Sequence, residues 1–200
     1  NLGAYLAASG KRVLIVDFDP QGNASSSLGA KKDGLGIYEA MTGSAETAAV
    51  IQPCPDAPDL SVIPASVNLA GATVELVDQP EREFFLKRAL EPVRGRFDFV
   101  FIDCPPSLGI LTLNGLAAAD SVIIPLQGEY LALEGLSLLL QTINRVQKGV
   151  NPRLAVGGIL FTMYDARTRL AQEVVQEVTG YFKEKVFRTL IPRNVRLGEA

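Results

Sequence analysis

Apolar residues occur along the chain in two kinds of segment, and the first kind predicts strands. Six short runs are apolar almost throughout, with little apolar–polar alternation, and they lie near residues 12–17, 60–64, 97–103, 121–125, 155–162 and 186–191. Runs of this kind are typical of strands that are covered on both faces, as in a parallel sheet.

The second kind of segment repeats apolar residues every three or four positions and predicts helices. In residues 130–148 the repeated positions are Leu136, Leu139, Leu140, Ile143 and Val146, and in residues 168–182 they are Leu170, Val174, Val178 and Phe182. A third helical stretch, residues 81–94, mixes apolar with charged side chains. This alternation of strands and helices predicts an α/β fold, a mostly parallel sheet with helices on both faces. The proline-rich stretch 52–59 predicts a surface loop.

Two of the predicted strands end in acidic residues. Residues 12–17 lead into Asp17 and Asp19, and residues 97–103 end at Asp103. Because parallel strands end at the same edge of a sheet, these carboxylates are expected to reach one edge, where open α/β sheets bind their ligands. Carboxylates in that position suit Mg²⁺ and the ordering of a water molecule beside a phosphate.

Composition narrows the class of protein. The 200 residues are 48% hydrophobic and 20% charged, as expected for one globular domain with a sizeable core. The sequence contains no histidine, which excludes histidine acid–base chemistry and histidine metal ligands within it. Cys54 and Cys104 form neither a disulfide framework nor a zinc pattern, which favours a reducing cytoplasm. No apolar stretch reaches the length of a membrane span.

Charge is distributed unevenly along the chain. Residues 1–144 contain nine Lys/Arg and 17 Asp/Glu, whereas residues 145–200 contain ten Lys/Arg and five Asp/Glu. A basic segment in an acidic protein is one mark of a nucleic-acid surface. Charge by itself favours the alternative, which is ordinary solvated helix faces.

Seven short motifs together resemble the ParA/Soj family of partitioning ATPases, a branch of the P-loop NTPases with a deviant Walker A motif. They are VDFDPQGN at 16–23, IPAS at 63–66, LAGATVELV at 69–77, FIDCPPSLG at 101–109, LALEGL at 131–136, TMYDART at 162–168 and IPRNVRL at 191–197. They occur in family order along nearly the whole chain. The resemblance implies a MinD/ParA-like P-loop NTPase architecture that binds ATP or ADP with Mg²⁺.

The resemblance also implies roles for the strand-end residues. Asp19 matches the switch I aspartate that helps to position the attacking water, and Asp103 matches the Walker B aspartate, which holds Mg²⁺ through a water molecule. Cys104, Pro105 and Pro106 match switch II, with Cys104 as a small packing residue. The alternatives are that Asp19 accepts backbone hydrogen bonds in a turn and that Asp103 only caps a strand.

Further motif positions correspond to contacts with the base and with DNA. The loops that contain Met163 and Pro192–Asn194 flank the adenine base in the family, with Arg193 and Asn194 on the base side. Ordinary strand-end loops are an equally good interpretation of any single residue there. Arg167 and Arg196 match a surface that binds DNA nonspecifically through its phosphates.

The resemblance therefore implies an ATP-switched DNA-segregation protein. ATP would join two protomers into a homodimer that binds DNA, and a ParB-like centromere-binding partner would stimulate hydrolysis and release it. We expect a cytoplasmic, nucleoid-associated protein that does not bind membranes. A membrane-associated positioning ATPase of the MinD type is the alternative, and a nitrogenase-type reductase is a third possibility that would need cluster-ligating cysteines.

The sequence departs from the family pattern at both ends. The family's phosphate loop is absent, and residues 1–10 resemble the rest of the helix that follows it; at the other end, the family continues beyond residue 200 into further helices. We therefore expect residues 1–200 to be a single ATPase domain that lacks its first strand, phosphate loop and C-terminal helices. Such a fragment is expected to bind ATP very weakly and to be inactive, with another segment or chain in place of the missing central strand.

Overall fold

The computed structural model describes residues 1–194, which form two compact units. Unit 1 spans Asn1–Ala119, and unit 2 begins at Asp120. Strands and helices alternate along both units, so the structure has the α/β architecture that the hydrophobic pattern predicts. In the described part of the chain, no helix combines the length and the apolar character needed to cross a membrane.

Unit 1 contains a four-stranded sheet. Its strands are β1 (Val13–Asp17), β2 (Gln52–Cys54), β3 (Ala57–Ile63) and β4 (Phe99–Asp103), arranged in the order β2-β3-β1-β4. Strands β3 and β4 run parallel to β1, whereas β2 is antiparallel to β3. The prediction of a mostly parallel sheet is therefore confirmed.

Both faces of this sheet are covered in unit 1. The helices are α1 (Leu2–Ala8), α2 (Asn23–Ser27), α3 (Ile37–Thr42), α4 (Leu69–Glu75), α5 (Phe85–Leu90) and α6 (Ile110–Ala118), with short 3₁₀ turns at Thr47–Val50, Arg82–Phe84 and Arg94–Arg96. On one face Ala7 of α1 packs with Val13 and Leu60. On the other, Leu14 and Val16 belong to the main core. Alternate residues of β1 thus serve opposite cores, which explains why this strand is apolar throughout.

Unit 2 contains a parallel pair of strands and two long helices. The elements are β5 (Ser121–Gln127), α7 (Tyr130–Lys148), β6 (Ala155–Thr162) and α8 (Arg169–Phe182), followed by a 3₁₀ turn at Lys183–Lys185. Residues 186–191 follow β6 in parallel but do not form the continuous strand that was predicted. They are tied to it at two points, where Phe187 N donates to Ile159 O and Ile191 N donates to Phe161 O, both at 2.9 Å.

Two further predictions from the hydrophobic pattern are wrong. Residues 52–59 are not a loop but form β2 and the start of β3, because Pro53 lies on an edge strand, where its missing N–H is tolerated. In α8, Leu170 is 48% exposed, and the buried positions are Ala171, Val174 and Val178. The burial of Ala171 was not predicted, because the neighbouring Leu170 fits the four-residue spacing of Val174 and Val178.

Candidate functional site

The predicted meeting of acidic side chains occurs at the carboxyl ends of β1 and β4. The two strands pair in parallel with Asp17 opposite Asp103, and Phe18 N donates to Asp103 O at 2.8 Å. Asp103 reaches the surface, but the protein packed around its carboxyl group raises its pKa, and the nearby charges of Asp17 and Asp19 raise it further. An added cation at this edge would relieve that repulsion.

The same edge fits a magnesium ion better than a metal that is enclosed by side chains. No group of three or more acidic or cysteine side chains in residues 1–194 is arranged to hold a metal ion directly. Mg²⁺ usually keeps several waters and takes only one or two protein carboxylates, so a single surface carboxylate such as that of Asp103 suits it.

Asp17 has a different environment from its two neighbours. Its side chain is completely buried, and its Oδ2 accepts hydrogen bonds from Ser25 N at 2.6 Å and Ser25 Oγ at 2.5 Å. Ser25 Oγ also accepts a bond from Ala65 N at 3.1 Å. One serine hydroxyl therefore connects the end of β1 with helix α2 and with the segment that follows β3.

Ser25 was missed by the sequence analysis. It is one of three consecutive serines in α2, Ser25 to Ser27, and nothing in the sequence distinguishes it from the other two. Its role depends on the position of the helix against β1 and β3, which short-range sequence patterns do not report.

Asp19 lies in the turn between β1 and α2. Its Oδ1 accepts a hydrogen bond from Gln21 N at 3.0 Å, and its carbonyl oxygen accepts one from Gly22 N at 2.9 Å. Gly22 has a φ of 65°, a left-handed conformation that favours glycine. Asp19 Oδ1 therefore accepts a backbone hydrogen bond within a turn, as the alternative interpretation predicted. Its Oδ2 makes no hydrogen bond to any described residue. The turn presents one carboxylate oxygen at the edge where Asp103 ends.

Cys104 follows Asp103 and packs against α6. A Cβ atom on Gly115 would lie 2.5 Å from Cys104 Sγ, so the thiol occupies the space that the glycine leaves. Burial, together with the charges of Asp103 and Asp19, raises the pKa of Cys104 to about 12. A pKa this high keeps the thiol protonated at neutral pH, as expected of a packing residue. Pro105 and Pro106 continue the loop toward α6.

In unit 2 the two predicted base-side loops lie against each other. Tyr164 N donates to Ile191 O at 3.0 Å, and Arg193 N donates to Tyr164 O at 3.0 Å. Pro192 is bridged to Tyr164 and lies between these two bonds, where its lack of an N–H costs nothing.

Met163 stands at the start of this loop pair. It has a φ of 51°, its side chain is 46% exposed, and its sulfur accepts a hydrogen bond from Gln127 Nε2 at 3.3 Å. The exposed thioether and the Pro192 ring offer apolar surface of the kind that packs on a flat ring. Asn194 follows Arg193 directly.

Of the two arginines proposed for DNA binding, Arg167 lies among the described residues and Arg196 does not. Arg167 is 88% exposed and forms a two-point ion pair with Asp165, in which Nε lies 2.9 Å from Oδ1 and a terminal nitrogen lies 2.7 Å from Oδ2. This pairing holds the pKa of Asp165 below its ordinary range and raises that of Arg167. Arg196 lies outside the described residues.

Comparison with known proteins identifies the family. A family model described as an AAA domain matches residues 1–156. The whole chain is 62% identical to the chromosome-partitioning ATPase Soj of Treponema pallidum (strain Nichols) and covers 78% of it. It is 54% identical to the sporulation initiation inhibitor protein Soj of Bacillus subtilis (strain 168), of which it covers 79%.

A solved structure agrees in fold. The crystal structure named cobyrinic acid a,c-diamide synthase from Mycobacterium smegmatis, with bound ADP and magnesium, superposes with a TM-score of 0.89 at 43% identity. The match covers 97% of this chain and 79% of that one. On the strength of the sequence identities, the family-model match and this shared fold, the chain belongs to the ParA/Soj family of partitioning ATPases.

Proposed function

We propose that the chain is the ATPase part of a DNA-partitioning protein that uses ATP and Mg²⁺ as a switch. The observation that carries the proposal is the parallel register of β1 and β4, which brings Asp17 and Asp103 side by side and presents Asp19 just beyond them. The two Soj relatives, which match the chain over its full length, support partitioning as the process that the switch serves.

Asp103 is the residue that we assign to the metal. Its carboxylate is exposed beside two other acids, and its pKa is raised by the protein packed around it and by the charges of Asp17 and Asp19. We assign it to hold Mg²⁺ through a water molecule, and the bound ion supplies neutralisation of phosphate charge. The mycobacterial relative, crystallised with ADP and magnesium, supports this pair of ligands.

Asp19 is the residue that we assign to the water that attacks ATP. The turn holds its Oδ1 on Gln21 N, which fixes the direction of the carboxylate while Oδ2 remains available to accept a proton from a water molecule. Orientation by a fixed carboxylate is the form of catalysis that phosphoryl transfer requires, because there is little covalent chemistry for the protein to perform. Cys104, Pro105 and Pro106 form the loop that senses the phosphate.

The base and DNA contacts complete the proposal. Met163, Pro192, Arg193 and Asn194 contact the adenine base. An ATP-dependent homodimer binds DNA nonspecifically through Arg167 and Arg196, and a ParB-like protein triggers hydrolysis and release in a cytoplasmic, nucleoid-associated cycle. The name of the mycobacterial relative describes a different reaction, but the two relatives of higher identity are named as Soj proteins.

Replacement of Asp19 in the full-length protein tests the proposal. Asp19→Ala should reduce ATP turnover by about 100-fold, the usual contribution of a positioned acid–base group, and should leave ATP affinity unchanged. Turnover is measured by phosphate release and affinity by calorimetry. Asp33→Ala is the control, because Asp33 is an exposed acid that lies after helix α2, whereas Asp19 lies before it. Wild-type turnover in Asp19→Ala would remove Asp19 from the mechanism.

A further inference from the structure

The loop between β4 and α6 can donate few backbone hydrogen bonds. It runs from Cys104 to Gly109 and contains Pro105 and Pro106, which have no N–H to donate. Its beginning is tied to β1 by the bond from Phe18 N to Asp103 O. The helix that follows it supplies further contacts.

Thr112 provides one of these contacts from the first turn of α6. Its side chain is 7% exposed, and its Oγ1 donates to Ser107 O at 2.5 Å, with Pro105 O at 3.4 Å as a second acceptor. A single buried hydroxyl thus satisfies carbonyl groups in the middle of the loop. Loss of that hydroxyl would leave a carbonyl without a partner, which favours a different loop conformation.

Gly115 provides the second contact, one helical turn further along the same face of α6. A Cβ atom there would lie 2.5 Å from Cys104 Sγ and 3.7 Å from Ile102 Cγ2. Real Cβ atoms do not approach a sulfur so closely, so any side chain at this position would push Cys104 away. Because Cys104 is bonded to Asp103, the displacement would reach the carboxylate.

We propose that Thr112 and Gly115 are positioning residues for ATP hydrolysis, and that helix α6 holds the Asp103 loop through this hydroxyl and this gap. The inference rests on the function proposed above, since it takes Asp103 as the metal-side carboxylate. Neither residue touches the nucleotide; both act through the loop. A displacement of about 1 Å in a reacting group can reduce turnover about 100-fold. Residues that hold the Asp103 loop in place therefore influence the rate without taking part in the chemistry.

The first experiment compares two substitutions at one position in the full-length protein. Thr112→Val keeps the shape of the side chain and removes the hydroxyl, whereas Thr112→Ser keeps the hydroxyl. We expect kcat to fall at least roughly tenfold in Thr112→Val, with ATP affinity and melting temperature close to wild type, and to recover in Thr112→Ser. Equal loss in both variants, or loss of ATP binding together with stability, would overturn the proposal.

The second experiment tests the gap at Gly115. Gly115→Ala should lower kcat because the new methyl group displaces Cys104. A further Cys104→Ala change removes the sulfur that the methyl group meets, so turnover in the double variant should recover to the level of Cys104→Ala alone. Failure of the double variant to recover would show that the Cys104 contact does not transmit the effect.

Hydrogen exchange without nucleotide separates this inference from the proposed function. The amides of Cys104, Ser107, Leu108 and Gly109 should exchange faster in Thr112→Val than in wild type or Thr112→Ser. Unchanged exchange in Thr112→Val would overturn the positioning role whatever the ATPase result. A wild-type protein that does not hydrolyse ATP would overturn the proposed function instead, and the exchange result would still decide whether Thr112 holds the loop.

Discussion

The strand ends of unit 1 and the loop pair of unit 2 are built by different means. In unit 1, side chains make the arrangement, since Asp17 is fixed by Ser25 and the Asp19 turn is closed by its own carboxylate. In unit 2, the backbone makes it, since Tyr164 bonds to the main chain of Ile191 and Arg193. The two regions should therefore respond differently to mutation. Side-chain replacement should disturb the structure of the first region most, whereas the loss of backbone hydrogen bonds should disturb the structure of the second most.

The largest expected effect is on the stability of unit 1. Asp17→Ala leaves the buried N–H and hydroxyl of Ser25 without their acceptor, so it should lower the free energy of unfolding by about 2–3 kcal/mol. Asp19→Ala removes only a turn contact and should cost less. Urea denaturation of both variants measures the difference. If Asp17→Ala proves no less stable than Asp19→Ala, the side-chain network does not hold the strand end.

The second effect concerns the loop pair of unit 2. Arg193→Ala keeps the N–H that donates to Tyr164 O, whereas Arg193→Pro removes it. We expect Arg193→Pro to weaken ATP binding roughly tenfold, the equivalent of one backbone hydrogen bond, and Arg193→Ala to weaken it less. Calorimetric titration of the full-length variants with ATP compares them. A loss as large in Arg193→Ala would mean that the guanidinium itself contacts the nucleotide and that the contrast between the regions is overstated.

The smallest effect concerns the Asp165–Arg167 pair, a side-chain contact within the backbone-built region. Arg167→Ala should weaken ATP-dependent DNA binding several-fold on any sequence and lower the slope of log affinity against log salt by about one unit per lost phosphate contact. Asp165→Ala should strengthen binding, because it releases the arginine from its ion pair.

Binding is measured by interferometry over several salt concentrations with two unrelated DNA duplexes. Arg169→Ala is the matched control, since Arg169 is 91% exposed and pairs with Glu173 instead. Equal losses of DNA affinity in Arg167→Ala and Arg169→Ala would mean that the change in net charge, and not a phosphate contact of Arg167, causes the loss. Arg167→Ala and Arg196→Ala should act alike if both arginines bind phosphates.

The sequence predicted the acidic strand ends of unit 1 better than the loop pair of unit 2, for a physical reason. An apolar run that ends in an acid reports both the strand and its carboxylate, so the meeting of Asp17 and Asp103 was predictable from residues alone. The pairing of Tyr164 with Arg193 uses main-chain atoms, which every residue possesses and no pattern reveals. Ser25 and Thr112 were missed for a related reason, because the acceptors of their hydroxyls lie at positions that only the folded chain brings near.

The boundaries of helices and strands follow a different division, between elements with a periodic apolar pattern and elements without one. Helices α7 and α8 lie where the apolar stripes predict them, because burial of one face leaves a periodic trace. The hairpin of β2 and β3 left no such trace, since its edge position tolerates an exposed Pro53 in the middle of β2. Segment 186–191 is apolar enough to resemble a strand, but it meets β6 only at separate points.

The position of β4 has a consequence for the behaviour of the chain in solution. It is one of the two edge strands of the sheet in unit 1, Phe99 is 42% exposed, and its ring stacks on Phe101 with centroids 6.3 Å apart. An apolar edge of this kind is a template onto which extended chains add, and neither a charged side chain nor a proline interrupts it before Asp103. Pairing of an extended segment with this edge would therefore add a strand to the sheet and cover Phe99, and a lysine in place of Phe99 would oppose that pairing.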